Sequence, residues 1–408
     1  MTRKDNPSMK RHDLARYCTP PLLLWISLTG CSEPPHWAGS VEMRNGVEAI
    51  SNPGAPLLEG GEHLLSELWA VQEANWMDAS RVHAQRDLIT VVDPPANQVH
   101  LISTSGEVQA SLGRPGDGPG EFRRLLDAFP NGHELVVLDG GKSNIQYLDF
   151  DGQYLSSLHV IGQTWDGFLL GTGELLLKGE FLSDPRQESF GDWVTVGEGR
   201  DPVAFTSLRL DPLPEEQGVR CSDFSSWAGG AARMRFTIPQ IQVFDPTGVL
   251  RKMIEVNLPI EVVSDSERDS ALSELRRTLA ARGLPPEFIE QNLVVMEERW
   301  RVKCRFGPLR FDPSGRFAAF LEQNPDDFGS GRATLHVLTK DGVYLAKLAF
   351  PEAWRDFTID DGVVYALTRD SETDLITLRA YRVDLPEAVF RRAAEAMEEA
   401  RRSGDRLR

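Results

Sequence analysis

A structural unit recurs along the chain roughly every 46 to 48 residues, and this period constrains the fold more than any other feature. Two strand-like runs, Leu88–Asp93 and Glu134–Asp139, lie 46 positions apart, and each is followed by a second strand, a tight turn and a third strand. Glycine allows the positive φ angle that such a turn needs. The recurring turns contain Gly106, Gly152, Gly248 and Gly342. A fixed period of this length indicates a repeat architecture.

Five turns and one incomplete unit make six units. One of these turns is expected at 196–199, because Gly152 and Gly248 lie two periods apart. The last unit ends with the strand-like run 375–383 and lacks a fourth strand, for which 41–50 is the expected donor. Six four-stranded antiparallel units, closed by a strand from the other end of the chain, describe an all-β fold, the six-bladed β-propeller. Closure matters because an unpaired edge strand exposes a row of backbone hydrogen-bonding groups.

Two segments have helical rather than strand-like patterns. Glu, Arg, Ala and Leu dominate 261–301, where apolar residues recur at helical spacing. We therefore expect a helical insertion inside one enlarged repeat, serving as a lid on one end of the domain or as a gating or partner-binding element. The tail, 387–408, is expected to be a charged helix with a frayed end that packs weakly or not at all.

The run GRPGDGPGEF at 113–122 contains four glycines and two prolines in ten residues. It follows the outermost strand of one unit and precedes the innermost strand of the next, so the chain must reverse direction there. Prolines fix φ, and glycines allow conformations that other residues find strained. We expect a structured crossing between blades, with a ligand-contacting loop as the alternative. A phosphate-binding P-loop is excluded, because the run has no lysine and leads into a strand rather than a helix.

The N-terminus resembles that of an exported bacterial lipoprotein. A basic segment precedes a short apolar run, 21–31, which is too short to span a membrane and has the pattern of a secretory signal. The residues Leu-Thr-Gly-Cys that end this run resemble a lipobox, in which the cysteine becomes the first mature residue and carries diacylglycerol on its sulfur. The resemblance implies lipidation of Cys31, with 1–30 as signal peptide. We expect 31–40 to be a tether and, from the repeat, 41–386 to be the propeller. Ser32 favours the outer over the inner membrane, and an ordinary signal cleavage site is the alternative.

The composition is that of an acidic globular protein. Hydrophobic residues make up 41% of the chain and charged residues 26%, which argues against disorder throughout. The formal net charge is -17 at pH 7. A protein that binds nucleic acid irrespective of sequence needs a basic face, so we expect no nucleic-acid partner.

No motif identifies a catalytic centre, and no cofactor is predicted. The chain has no GxSxG elbow, no CxxC motif and no Cys/His cluster with zinc-site spacing. Two cysteines besides Cys31 remain in the mature chain, Cys221 and Cys304. In an oxidising compartment they either form a disulfide or stay as two buried thiols.

These features together resemble the six-bladed, NHL-related (TolB-like) propeller lipoproteins of bacterial envelopes. The resemblance rests on GRPGDGPGEF between two strand–turn units, on the run FGPLRFDPSG at 306–315 after the helical insertion, and on the lipobox. It covers most of 41–386 and is weakest across 180–235. It implies the fold and an envelope location, but no single activity.

Propellers bind ligands where loops converge at the mouth of the central channel. The candidates for ligand contacts are therefore charged or aromatic residues next to the predicted innermost strands. They are Arg114, Asp117, Glu121, Arg123, Trp165, Asp166, Arg310 and Arg355. Each has a structural alternative as a surface or inter-blade ion pair.

We expect a monomeric, lipid-anchored propeller without enzymatic activity that binds a protein, peptide or glycan of the envelope and reaches the membrane through its anchor. This expectation follows from a repeat scaffold that combines an anchor with no catalytic signature. The alternative is a hydrolase, lactonase or lyase with a divalent metal such as calcium in the channel, and it rests on analogy with other six-bladed propellers. It predicts carboxylates, asparagines or histidines from several blades around one ion.

Overall fold

A computed structural model describes most of the chain from residue 37 to residue 406. The segments within that span that it leaves out are 59–63, 74–75, 161, 170–173, 182–192, 197–201, 205–221, 228–229, 236–237, 300–304, 323–331 and 371–372. The predicted lipidation site Cys31, the candidate disulfide partners Cys221 and Cys304, and the turn expected at 197–199 lie outside the described residues.

The described strands follow the predicted repeat. Three strands precede the first blade, namely β1 (Ser40–Arg44), β2 (Val47–Asn52) and β3 (Leu65–Gln72). Blade one contains β4 (Arg81–Gln85), β5 (Leu88–Asp93), β6 (Gln98–Ser103) and β7 (Val108–Leu112). Blade two contains β8 (Leu125–Asn131), β9 (Glu134–Asp139), β10 (Asn144–Asp149) and β11 (Tyr154–His159). Blade three contains β12 (Gly162–Leu169), β13 (Leu175–Phe181), β14 (Trp193–Val196) and β15 (Pro202–Ala204). Blade four contains β16 (Ser222–Trp227), β17 (Gly230–Arg235), β18 (Gln240–Phe244) and β19 (Leu250–Val256). Blade five contains β20 (Phe306–Phe311), β21 (Phe317–Glu322), β22 (Ala333–Thr339) and β23 (Tyr344–Phe350). Blade six contains β24 (Trp354–Asp360), β25 (Val363–Arg369) and β26 (Ile376–Val383).

The blades form a closed ring. Within each blade consecutive strands pair antiparallel, and the first strand is innermost. The innermost strands contact one another in the order β4, β8, β12, β16, β20, β24 and back to β4. Apolar side chains fill the space between neighbouring blades, as where Val82 of blade one and Leu367 of blade six share a cluster. The predicted six-bladed architecture is confirmed.

The strand that completes blade six does come from the N-terminal side, but not from the expected segment. β3 pairs antiparallel with β26, with Val71 opposite Leu378. The prediction that 41–50 completes this blade is wrong, because those residues belong to the hairpin of β1 and β2. The hairpin instead extends blade four to six strands, with β2 running parallel to β19. β3 lies much nearer in sequence to β4 of the adjoining blade one, so a short connection suffices.

The N-terminal arm, 37–72, contacts the outer strands of three consecutive blades. The side-chain oxygen of Asn52 accepts hydrogen bonds from Trp37 Nε1 at 3.0 Å and from the Tyr344 N–H at 2.8 Å. The side-chain nitrogen of Asn52 donates to carbonyl groups of blade four and blade five at 3.1 and 2.9 Å. Further along, the Leu58 N–H donates to a carbonyl of β23 at 2.8 Å, and β3 follows in blade six. One buried amide thus joins the arm to two blades.

Both ends of the described chain pack more firmly than expected. Trp37, within the segment predicted as a tether (31–40), is only 4% exposed. The C-terminal helix, α3 (Glu387–Arg406), is confirmed as a helix, but the prediction that it packs weakly is wrong. It packs against β1, and Arg401 Nε lies 2.7 Å from Glu48 Oε1. Its buried side chains are Val389, Ala393, Ala396 and Met397. They recur at helical spacing, which gives this charged helix one apolar face.

The predicted helical insertion is confirmed. It consists of α1 (Asp265–Ala281) and α2 (Pro286–Arg299), which pack against each other between β19 and β20. Ser264 begins α1 with a capping box, in which its side chain accepts the Glu267 N–H and the Glu267 side chain accepts the Ser264 N–H. No residue of α1 is buried, whereas Ile289 of α2 is 6% exposed. The insertion occupies the place of a crossing between two blades, and its role as a lid stays a prediction. None of the described helices is long and apolar enough to cross a membrane.

The turns between third and fourth strands place a glycine directly against the preceding blade. Gly106 and Gly152 have φ angles of +87° and +82°. A Cβ atom at Gly152 would lie 2.8 Å from Leu112 of blade one, and one at Gly106 would lie 2.9 Å from Trp69 of blade six. The recurring glycines therefore satisfy two requirements, a positive φ angle and the close approach of neighbouring blades.

Replacing Gly152 by alanine is expected to destabilise the propeller more than replacing Gly132, which has a φ of +65° and open space around its Cβ position. Both variants acquire the strain of a positive φ, roughly 1–2 kcal/mol. Only Gly152→Ala also places a methyl group against Leu112, and overpacking of this kind typically costs about 1–3 kcal/mol more. Urea unfolding measures both losses. Equal losses would contradict a tight contact at Gly152.

Candidate functional site

The run GRPGDGPGEF is an ordered crossing from β7 to β8, as predicted. Phe122 is fully buried in the core between blades one and two, and its N–H donates to the Arg114 carbonyl at 2.9 Å. Gln146 of β10 accepts the Gly120 N–H at 3.0 Å and donates to the Glu121 carbonyl at 2.8 Å. The backbone of the crossing is therefore held by the blade that it enters.

Aspartates that end second strands hold the chain where it enters an innermost strand. Asp139 accepts the N–H of Arg123 and the N–H that follows, both at 3.0 Å. Asp93 accepts the N–H groups of Met77 and Asp78 at 2.6 and 3.2 Å. Both carboxylates are buried, and these hydrogen bonds offset the cost of removing them from water. They position the entry segments that carry the charged side chains of the channel mouth.

The four candidates in the crossing pair with one another. Arg114 Nη2 lies 2.7 Å from Glu121 Oε1, and Arg123 pairs with Asp117. The Gly118 N–H and the Arg114 side chain hold the pKa of Glu121 below its usual range, and Arg123 does the same for Asp117. Exposed ion pairs of this kind contribute little to stability. The arrangement favours the structural alternative for these four residues over ligand contact.

Arg310 and Asp356 link the innermost strands of blades five, six and one. Arg310 Nη2 donates to Asp356 Oδ1 at 2.7 Å, and Arg310 Nε donates to the Phe357 carbonyl at 2.8 Å. The second carboxylate oxygen of Asp356 accepts the Val82 N–H of β4 at 3.1 Å. Asp356 is fully buried. The guanidinium group of Arg310 is thus engaged by the protein itself.

His83 and Asp127 form the next link, between blades one and two. His83 Nε2 lies 2.7 Å from Asp127 Oδ1, which also accepts the Ala128 N–H at 2.8 Å. The imidazole ring lies against Phe129, with 4.4 Å between the ring centroids. Burial by itself would raise the pKa of Asp127, but His83 and Arg81 outweigh it and hold that pKa below its usual range. We name the linking residues Arg310, Asp356, Val82, His83 and Asp127 the inner belt.

A second group of charged residues lies where the chain enters blades one and six. Asp78, just before β4, pairs with Arg355 of β24 and lies 3.2 Å from Arg369 Nη1 at the end of β25. Arg369 Nε also lies 2.5 Å from Asp374 Oδ1. The side chains of Arg355 and Arg369 are 24% and 32% exposed, and Met77 beside them is 66% exposed. We name Met77, Asp78, Arg355, Arg369 and Asp374 the mouth cluster.

Three innermost strands share a β-bulge followed by an aspartate. The aspartates are Asp127 in β8, Asp166 in β12 and Asp356 in β24. The candidates Trp165 and Arg355 are the bulged residues of blades three and six, so they occupy equivalent positions. The side chains of Trp165 and Asp166 lie outside the described part of the structure.

The sequence pointed to Arg310 and Arg355 but not to their partners. Among the described side chains, the candidates divide into the crossing, the inner belt and the mouth cluster, and they do not form one site. Asp78, Asp356 and Arg369 were missed, because their pairing joins residues far apart in the sequence. A usable signal was the pattern Asp-Ala-Phe at 127–129 and Asp-Gly-Phe at 166–168, which marks the same bulge in two blades.

The described residues contain no group of ligands for the metal ion that the enzymatic alternative requires. They contain no set of three or more His, Cys, Asp or Glu side chains that could hold a metal ion. The buried carboxylates of Asp127 and Asp356 are each taken up by a basic side chain of a neighbouring blade. A calcium-type site in the channel stays a prediction.

Comparison with known proteins agrees with the propeller fold. A family described as a 6-bladed beta-propeller matches residues 72–169. A Bacteroides fragilis protein described as exported has a similar structure, with 12% identity and a TM-score of 0.50 over 82% of this chain and 99% of that chain. A member of the DUF4221 family from Bacteroides vulgatus matches with 9% identity and a TM-score of 0.53 over 79% of this chain and 99% of that chain.

The chain is a six-bladed β-propeller. Streptogramin B lyase also matches this propeller, with 9% identity and a TM-score of 0.43 over 77% of this chain and 96% of that chain. At such low identities the likenesses to the two Bacteroides proteins, with TM-scores of 0.50 and 0.53, establish the fold and no activity. No curated protein matches the sequence of the propeller.

Several carboxylates lie close together at the end of the innermost strands opposite to the mouth cluster, and their negative charges repel one another. Asp360 ends β24, and its neighbours include Asp312, Asp361 and Asp87. Burial, followed by repulsion from Asp312, raises the pKa of Asp360 to about 6, although the Arg86 N–H opposes this shift. Part of the Asp360 population is therefore protonated in mildly acidic solution.

Asp360→Asn is expected to stabilise the propeller above pH 6. The folded-state pKa of about 6 exceeds the unfolded value near 3.9, so the contribution of Asp360 to stability is complete below about pH 4 and is lost as the pH rises through 6. Asparagine carries no charge, so the melting temperature of the variant should exceed that of the wild type at pH 7.5, and the difference should shrink at pH 5.

Asp374→Asn is the matched control, because Arg369 lowers the pKa of Asp374 and removal of that charge gives no gain. An unchanged melting temperature of Asp360→Asn at pH 7.5 would contradict the raised pKa.

Proposed function

We propose that this propeller is an exported, lipid-anchored binding module of the cell envelope whose ligand docks at the mouth cluster. The ligand class is a protein, peptide or glycan that carries carboxylate groups. The observation that carries the proposal is the contrast between two sets of charged residues near the channel. In the inner belt the carboxylates are buried, and the side chains of Arg310 and His83 are only 13% and 18% exposed. In the mouth cluster the side chains of Arg355 and Arg369 are more exposed, at 24% and 32%.

The charges of the mouth cluster suit recognition of a carboxylate. Two guanidinium groups, from Arg355 and Arg369, converge on the single carboxylate of Asp78. Guanidinium groups bind carboxylates in a planar, bidentate way that combines energy with orientation. A ligand carboxylate can therefore replace Asp78 as the partner of either arginine. The exposed side chain of Met77 adds an adaptable apolar contact beside them.

The proposed anchor rests on the N-terminal sequence and on the position of Trp37. Cys31 ends the lipobox-like run and lies six positions before Trp37, which is buried against the propeller. Six extended residues reach about 20 Å at most. A lipid on Cys31 would therefore hold the propeller close to the bilayer, and several acyl chains on one residue make such an anchor stable.

Cys31→Ser is expected to release the protein from the membrane. In a Gram-negative host the wild-type chain should sediment with membranes and carry a mass increase that corresponds to lipid, whereas the variant should appear in the soluble envelope fraction without that increase. Cys221→Ser is the matched control and should stay with the membranes. Membrane association of Cys31→Ser equal to that of the wild type would contradict the proposed anchor.

Arg355→Ala combined with Arg369→Ala is expected to weaken ligand binding at the mouth cluster. A ligand captured from envelope extract by the wild-type propeller would be purified, and its dissociation constant would then be measured for both proteins. Loss of charged hydrogen bonds should weaken binding about tenfold or more. Arg277→Ala combined with Arg402→Ala is the control, because both arginines form exposed ion pairs on helices.

Equal affinity of the double mouth variant and the wild type would contradict the proposed site. Recovery of no ligand, together with metal-dependent turnover of a substrate, would favour the enzymatic alternative instead.

A further inference from the structure

A cavity of about 410 Å³ lies between α3 and the hairpin turns of blade five. Three elements form its walls: the turn between β20 and β21, the turn between β22 and β23, and the first two turns of α3. The turns belong to the end of blade five opposite to the one where the chain enters from the insertion. The cavity is therefore separate from the mouth cluster and shares no residue with it.

Each wall contributes one cation to the cavity: Arg316, Lys340 and Arg391. Among the described residues none of these three has an ion-pair partner. The guanidinium group of Arg316 lies over the ring of Phe390, 5.5 Å from its centroid. Three unpaired cations around one cavity are unexpected in a chain with a net charge of -17, because like charges repel and carboxylates are plentiful.

Acidic groups only partly offset these cations. Asp341 borders the cavity, but its carboxylate also lies 3.8 Å from Lys252 Nζ. Glu387, in the first turn of α3, is the other carboxylate of the lining. The first turn of α3 also borders the cavity, and the positive end of a helix dipole lies at the helix N-terminus. The local field favours an anion.

The remaining lining is apolar. Val343 is fully buried in the floor, and Ala393 and the half-buried ring of Phe390 form one side. The volume is within the range of small-molecule sites and exceeds what a bare inorganic anion needs. The shape and lining therefore suit a compact organic molecule that bears an anionic group.

We propose that this cavity binds a phosphate-bearing ligand with a small organic body. A phosphate monoester carries a charge of about -1.5 to -2 and several strong acceptor oxygens, so it can pair with more than one cation. Arginine binds phosphate in bidentate geometry, and lysine adds a point charge. The phosphate group can come from a soluble phosphate ester or from the headgroup of an anionic phospholipid. The proposal does not depend on the function proposed for the mouth cluster.

Glucose 6-phosphate is the soluble probe, with glucose as its uncharged control. Thermal unfolding and isothermal titration calorimetry of the chain from residue 31 onward should show stabilisation and binding by glucose 6-phosphate and no response to glucose. Binding should weaken as salt is added, because the attraction is electrostatic. A vesicle arm uses phosphatidylglycerol against phosphatidylcholine, with the unlipidated Cys31→Ser chain so that an anchor cannot contribute.

The test variant is Arg316→Gln, Lys340→Gln and Arg391→Gln combined, and the control is Arg402→Gln, an exposed arginine of α3 paired with Glu398. The triple variant should lose binding about tenfold or more. All three positions are exposed, so the triple variant should fold. Without ligand its melting temperature should stay close to that of the wild type, because relief of mutual repulsion offsets the lost contact between Arg316 and the Phe390 ring. The control should bind like the wild type.

Response to glucose 6-phosphate alone would assign the phosphate to a soluble ester, and selective binding to phosphatidylglycerol alone would assign it to a lipid headgroup. The proposal is overturned if neither probe binds the wild type, or if the triple variant responds as strongly as the control.

Discussion

The hydrogen bonds between β3 and β26 close the ring, and the rest of the structure depends on this pairing. They extend from Thr377 opposite Gln72 to Val383 opposite Leu65. Without them β26 would end blade six with a free edge, and the innermost strands β24 and β4 could not be held side by side. Because each core lies between two blades, a ring that opens at one junction exposes apolar surface on both sides of the break.

Closing the ring leaves one edge of every innermost strand without a neighbouring strand. The inner belt resolves this problem at the junctions of blades five, six and one by placing charged side chains against backbone groups of adjacent strands. Asp356 accepts a backbone N–H of β4, and Arg310 donates to a backbone carbonyl of β24. Charged residues near the axis of this propeller are therefore explained by hydrogen-bond satisfaction. In the mouth cluster the charged side chains are partly exposed, so a ligand can contact them there.

The two ends of the described chain make blades four to six thicker than the other half of the ring. The N-terminal arm adds strands or backbone hydrogen bonds to all three blades, and α3 covers β1. The cavity between α3 and blade five exists only because α3 packs there, and its cations come from three separate elements. A helix that looks like a solvated tail in the sequence thus forms one wall of a candidate binding site.

Sequence patterns were sufficient to predict the period, the six units, the turn glycines, the helical insertion and the crossing at 113–122. These features depend on φ preferences, local hydrogen bonding and apolar spacing, which act over a few residues. Three features became evident only in the folded chain: 65–72 rather than 41–50 closes the ring, Arg355 meets Asp78, and one cavity is lined by Arg316, Lys340 and Arg391. Those contacts join residues tens to hundreds of positions apart, and neither spacing nor periodicity encodes which distant partner packs where.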